Sequence, residues 1–335
     1  MSSFISISKT AALFMLLCLA VTAQAADDWT LPRTVDGHAD LQGVWANNSV
    51  TPVERLEVFG DKEFLTEEDV AFLNRRVAEI KASGGDALFG NGVLAAAFSG
   101  VISSSDTETG NYSQDWMAQR TVDSLNTRTS QIVDPPNGQY PPRTEASIAL
   151  ARDRGEIRSR PAESWTDRSL GERCLSFSAP YLGSGYNSYW QIIQSKDHVV
   201  IVQEMAHDAR IIPLVERPHV ADDLRLWMGD SRGYWDGDTL VIETTNFSDA
   251  STNGLDASNK LLIEKLNRIG PNTLEYSVTF NDPGAYTAPY TRILNFDKSE
   301  DEIYEYACHE GNYGMENILS GARAQERLAQ QGGSN

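Results

Sequence analysis

Two carboxylates, Glu204 and Glu243, and two imidazoles, His219 and His309, are the residues of this chain best suited by type and setting to move protons. Glu243 lies in "DTLVIETTNF" and shares one strand face with Val241, Thr245 and Phe247. Glu204 repeats the pattern beside Val200 and Val202. A carboxylate on a partly apolar face is either turned to solvent or held in a cavity where desolvation favours its protonated form. Two of them facing one barrel lumen would suit acid–base catalysis, one protonated and one ionised. His219, in "ERPHVADD", follows Pro218 in a loop that could reach a barrel mouth, and His309 follows Cys308 in "YACHEGNYGMEN". Each is a candidate general base or a satisfied structural histidine.

The acidic run "GDSRGYWDGDTLVIETTNF", residues 229–247, supplies the remaining polar candidates. Asp236-Gly237 stands between an aromatic run and "DTLVIET", which predicts a hairpin with a type I′ turn. That turn accounts for Asp236 and Asp238. A calcium loop would need further alternating oxygen ligands, and Asp236-Gly237-Asp238 gives a single step. Asp230 and Arg232 precede the hairpin and are not explained by it. They either pair and lock a loop, or Arg232 presents its planar fork to a substrate oxygen with Asp230 beside it. Tyr189, Trp190 and Trp235 could bind a ring or a flat apolar ligand, or could serve as barrel core and rim.

Other chemistries lack their signatures. No H-x-H, H-E-x-x-H or Cys/His cluster with ligand spacing occurs, so no metal is expected. The chain has no G-x-S-x-G elbow, Walker loop or dinucleotide glycine fingerprint, so no cofactor is expected.

The elements that must position these residues change character along the chain. "DLQGVWANN" reads as a first strand. Thr66 and Asp69 form a capping-box pair ahead of a stripe of Val70, Leu73, Val77 and Ile80, which predicts a helix ended by Gly84-Gly85. Residues 86–165 carry no sustained period and read as an irregular insertion, either a cover over a cavity or surface wrapping. From Tyr189 the period is two: "YWQIIQ", "HVVIVQEM", "ARIIPL", "LLIEKLNR", "TLEYSVTF", "YTRILNF" and "EIYEYAC" follow in series. With the first strand this gives about eight to ten strands, an antiparallel meander that removes its edges by closing into a barrel. A helix over 315–330 ends the chain. No internal repeat is visible, and residues 26–335 read as one domain.

The bulk properties set the compartment. Lys9 precedes an apolar run, Ala11 to Val21, and Ala23-Gln24-Ala25 is a small-x-small cleavage signal. Residues 1–25 therefore read as a secretory signal peptide cut after Ala25, which predicts a periplasmic or secreted protein with no membrane span. Cleavage would take Lys9 with it and move the formal charge from −19 to −20. So acidic a chain is a poor partner for nucleic acid. The remaining Cys174 and Cys308 read as one disulfide closing a loop of more than 130 residues.

The segments "RIIPLVERPH", "WMGDSRGYWDGDTLVIETTNF" and "EYACHEGNYGMENILSGARAQE" resemble a family of secreted bacterial proteins marked by a GDSRGxWxGDTLVxETTNF motif. The likeness runs from about Arg173 to Glu326. It implies a secreted bacterial origin and transfers no catalytic residue. Gly43-x-Trp45 is similar to the opening strand of lipocalin-type barrels, a likeness of architecture. These features together predict a mainly β, lipocalin- or calycin-like barrel with a few flanking helices. Its cavity would take a small organic molecule for cofactor-free acid–base chemistry of isomerase, lyase or cyclase type. The alternatives are a non-catalytic ligand-binding barrel and an envelope structural protein.

Overall fold

Period-two runs that bury every other side chain account for most of the architecture. In the computed structural model, residues 29–82, 92–100, 126–177, 179–185, 187–252 and 254–332 are described. The expected signal peptide, residues 83–91 with the expected helix stop Gly84-Gly85, and residues 101–125 lie outside them. From Leu31 onward the chain is one unit.

Among the described residues there are ten strands: β1 Gly43–Ala46, β2 Ile132–Asp134, β3 Tyr189–Gln194, β4 His198–Gln203, β5 Ala209–Pro213, β6 Asp230–Asp236, β7 Thr239–Thr245, β8 Leu261–Arg268, β9 Thr273–Asn281 and β10 Tyr290–Ser299. Nine of them form a nearly closed barrel in the order β5-β4-β3-β1-β10-β9-β8-β7-β6, with every ladder antiparallel. The short β1 completes it by pairing with β3 on one side and β10 on the other. β2 pairs with the start of β10. The strand expected over "EIYEYAC" does not form: residues 302–307 carry no ladder, and the Tyr304 amide donates to the Glu204 side chain instead.

The interior is filled with side chains. Trp45, Trp190, Ile201, Leu240, Tyr276 and Phe296 are all at most 1% exposed. Trp190 meets Tyr276 and Phe296 edge to face at 5.1 and 4.8 Å between ring centres. Burying each large apolar side chain stabilises the fold by about 1.5–3 kcal/mol. The open lumen expected from the sequence is thus occupied by packed rings and aliphatic chains.

β5 and β6 flank a seam that carries no ladder. Gly233 of β6 makes their approach possible. A Cβ there would stand 2.9 Å from Leu214 Cδ2 and 3.0 Å from Ile212 Cγ2. A buried ion pair crosses the seam. Arg210 of β5 donates Nη1 and Nη2 to Glu264 Oε1 and Oε2 of β8 at 2.9 and 2.5 Å. Its Nη2 also reaches Ser231 Oγ of β6 and Thr244 Oγ1 of β7, each at 3.3 Å. The Tyr276 hydroxyl of β9 donates to Glu264 Oε1 at 2.8 Å. Burial first, and the Glu264 carboxylate after it, hold that hydroxyl well above its ordinary pKa, so it stays a donor.

The β6–β7 hairpin corrects the turn expected from the sequence. Asp236 pairs with Thr239, so the two-residue loop is Gly237-Asp238 rather than Asp236-Gly237. Gly237 has φ +61°, while Asp238 is not among the residues with positive φ. That is the type II′ pattern, with Gly in the first central position. Asp238 pairs with Arg33 at 2.8 Å on the surface.

Helix α1, Glu67–Ala82, starts as expected: the Asp69 amide donates to Thr66 Oγ1 and the Thr66 amide to Asp69 Oδ2. Its Leu73 and Val77 pack with Val93, Leu94 and Ala97 of α2, Gly92–Ser99. The stretch read as irregular also contains α3, Glu145–Ser159. Ser147 is its one buried residue, so no apolar stripe marks it in the sequence. Thr144 caps it by accepting from the Ser147 amide. The last helix, α4, spans Tyr313–Gly332 and is tied back by Arg323, which donates to the Ala162 and Glu163 carbonyls. Cys174 and Cys308 form the expected disulfide. Among the described residues no helix is long and apolar enough to cross a membrane.

Candidate functional site

Alternation along the β6–β7 hairpin decides which of the candidate residues meet. Leu240, Ile242 and Thr244 of β7 are fully buried, and Ser231 of β6 reaches the interior ion pair. Asp230, Arg232 and Glu243 have the opposite parity and stand on the outer face. Arg232 and Glu243 are direct cross-strand partners. Glu243 therefore does not face the lumen, which corrects the expectation that it shares one with Glu204.

The segment between β5 and β6 folds back over Asp230. His219 Nδ1 lies 2.8 Å from Asp230 Oδ2, and the Val220 amide donates to the same oxygen at 3.2 Å. Arg232 Nη1 donates to Asp230 Oδ1 and to the Ser231 carbonyl, each at 2.7 Å, and Nη2 to the Pro218 carbonyl at 3.4 Å. A carboxylate only accepts, so Nδ1 carries a proton toward Asp230, and Nε2 is the ring nitrogen that this contact leaves unused. The His219 side chain is 28% exposed and that of Asp230 is 9%. This is an orienter–base arrangement, an imidazole with its tautomer set by a buried carboxylate. Arg232 is committed to the loop and to Asp230, and its Nε is buried without a partner. Of the two sequence readings of Asp230 and Arg232, the geometry matches the locked loop.

Two residues of the same motif hold this platform and went unnoticed in the sequence. Gly229 has φ +71°, and a Cβ there would stand 2.6 Å from the Thr245 carbonyl oxygen. The Asn246 side-chain amide donates to the Ala221 and Leu224 carbonyls at 3.0 and 3.2 Å. The signal for Asn246 was its place at the end of a strand, where an asparagine tolerates the left-handed backbone, here φ +56°.

The other candidates lie elsewhere. Glu204 follows β4 and is buried beneath the 303–308 segment, where its Oε1 accepts from the Tyr304 amide at 3.1 Å. Burial raises its pKa, and the backbone amides of Tyr304 and Tyr189 only partly oppose that. Tyr189 accepts the Glu204 amide through its carbonyl at 2.9 Å. His309 is exposed beside the disulfide. Trp190 belongs to the packed interior. Trp235 is five residues beyond Asp230 along β6, roughly 17 Å away. There it stacks on His38 at 4.8 Å and borders a cleft of about 470 Å³ with Arg33, Gln194 and Lys196.

A second cleft, of about 490 Å³, opens between α3 and the connections that precede β8 and follow β9. Lys260 lies in it, 3.6 Å from Asp282 Oδ2 and 4.8 Å above the Phe247 ring. Among the described residues, no group of three or more His, Cys, Asp or Glu side chains is gathered to hold a metal ion.

No family model matches the chain, and no curated protein matches it. Among solved structures, one match is a "secretary abundant heat soluble (SAHS) protein" from Ramazzottius varieornatus, at 16% identity and a TM-score of 0.22, covering 33% of this chain and 70% of that one.

Proposed function

We propose that this chain is a periplasmic or secreted enzyme that carries out cofactor-free proton transfer on a small organic molecule, with His219 as the acid–base group. The observation that supports it is the 2.8 Å contact between His219 Nδ1 and Asp230 Oδ2. It orients a partly exposed imidazole and leaves its second nitrogen for a substrate. Glu243, the cross-strand partner of Arg232 on the same face, is the second carboxylate of this patch after Asp230. Isomerisation, elimination and cyclisation can each proceed by proton transfer between such groups without a cofactor. The leader in the sequence and the disulfide support export.

The test is untargeted. Purified protein is incubated with pooled carbonyl compounds, epoxides and hydroxy acids, and products are followed by chromatography and mass spectrometry, including isomers of unchanged mass. Wild type is expected to convert at least one compound, and His219→Ala to lose about 100-fold or more of that rate. Conversion that survives in His219→Ala overturns the assignment. No conversion, with an unaltered organic molecule retained in native mass spectra, instead supports the ligand-binding alternative.

A further inference from the structure

The charges along α3 are sorted in a way its overall composition does not require. The helix carries three acids, Glu145, Asp153 and Glu156, and three arginines, Arg152, Arg154 and Arg158. None of its acids borders the 490 Å³ cleft, whereas Arg154 and Arg158 do. Arg143, just ahead of the helix, and Lys260, from the facing wall, add two more cations, against Asp167 and Asp282. Among the described lining residues the cleft has four cations and two acids, the reverse of a chain whose formal charge is −19.

The walls also differ in polarity. Leu150, Leu255, Ala285 and Tyr286 supply apolar surface within the cleft. Tyr286 is held there by stacking on Tyr140 at 5.5 Å between ring centres. Arg143 is fixed by donating Nε to Ser147 Oγ at 2.9 Å and Nη2 to the Ser147 carbonyl at 2.8 Å. Lys260 has a side chain only 16% exposed, and its distance of 3.6 Å to Asp282 is longer than a direct charge-assisted hydrogen bond. Burial lowers its pKa, and the Asp282 carboxylate only partly opposes that. A second anion beside the ammonium would offset the cost of this desolvation.

We propose that this cleft is a binding site for an amphipathic organic carboxylate, its head group at Lys260 and Arg143 and its apolar body along Leu150, Leu255 and Tyr286. The volume is in the range of small-molecule sites, and apolar walls with a few placed charges are their usual composition. The site is separate from the His219–Asp230 pair and does not rest on its role.

Calorimetric titration of the full chain with decanoate, and in parallel with decanol, tests the assignment. Saturable one-to-one binding of decanoate is expected, with decanol at least tenfold weaker. Lys260→Met should weaken decanoate at least tenfold, and Lys260→Arg should keep most of it. Because removing a largely buried lysine can disturb the fold, Ala151→Trp provides a second variant. Ala151 is exposed on the cleft face of α3, so the indole fills the space and should abolish binding while the thermal melt stays unchanged. Equal affinity for decanol and decanoate would overturn the charge assignment. Inorganic phosphate binding as tightly as decanoate would overturn the amphipathic class. Full binding in Ala151→Trp would overturn the location.

Discussion

Arg210 on β5 and Glu264 on β8 form a bidentate ion pair, 2.9 and 2.5 Å, inside the barrel and across the seam where β5 and β6 share no ladder. Both side chains are at most 2% exposed. The seam is thus bridged by a charge pair, with Ser231 and Thr244 hydrogen-bonded to the same guanidinium, where backbone pairing is missing. A buried pair of this kind contributes little net stability over an apolar replacement, but it is costly to break.

Arg210→Met should cost about 3–5 kcal/mol, because it leaves the Glu264 carboxylate buried and unpaired. Adding Glu264→Leu should return a large part of that loss. Urea denaturation of the two variants checks the pair. A double variant less stable than Arg210→Met would show that the carboxylate is not the source of the cost.

Asp230→Asn removes the charge that Arg232 and His219 share. The expected cost is about 1–3 kcal/mol. It should be local, since the partners all lie in the 218–232 stretch. Hydrogen exchange at the Val220 amide should speed up, while amides of β9 and β10 keep their protection. Uniform loss of protection would place Asp230 in the global core instead.

Gly229 sets the direction of the chain into Asp230. Gly229→Ala puts a methyl group at φ +71° and against the Thr245 carbonyl. A loss of about 2 kcal/mol or more is expected by thermal or chemical denaturation. A neutral outcome would mean that the β6 entry relaxes freely.

Glu204 gives the chain a pH signature. Burial raises its pKa in the folded chain above the ordinary 4.5. The stability it contributes is complete below that value and is lost as the pH climbs through the folded one. Glu204→Gln cannot ionise, so its stability relative to wild type should increase from about pH 4.5 upward. Denaturation at pH 4 and pH 7 decides: a gap that is flat or shrinks with pH refutes the buried carboxylate.

Much of the fold was legible because local patterns carry it. The two-residue period of β3 to β10, the Thr66–Asp69 cap of α1 and the even pair of cysteines each fix a feature without distant information. α3 was not legible, because its sequence is rich in alanine and charge and has no apolar stripe to mark it. The seam pair was half legible: Glu264 alternates with Leu262 and Leu266, and Arg210 with Ile212, so each stood on a buried face. Their partnership depends on β1 entering between β3 and β10 and curling the sheet round, a long-range event that no local period records. The same holds for the site. His219 and Asp230 were both singled out, but Glu243 was placed in the lumen because a strand's two faces look alike until one is known to be inside.

The disulfide has a consequence for proteolysis. Cys174 and Cys308 are 134 positions apart in the chain. One cut anywhere between them leaves both fragments in a single covalent molecule. β3 through β10 all lie within that span, so a nick in any of their connecting loops would release no strand from the barrel. Such a molecule would run as an intact chain without reductant and as two pieces with it.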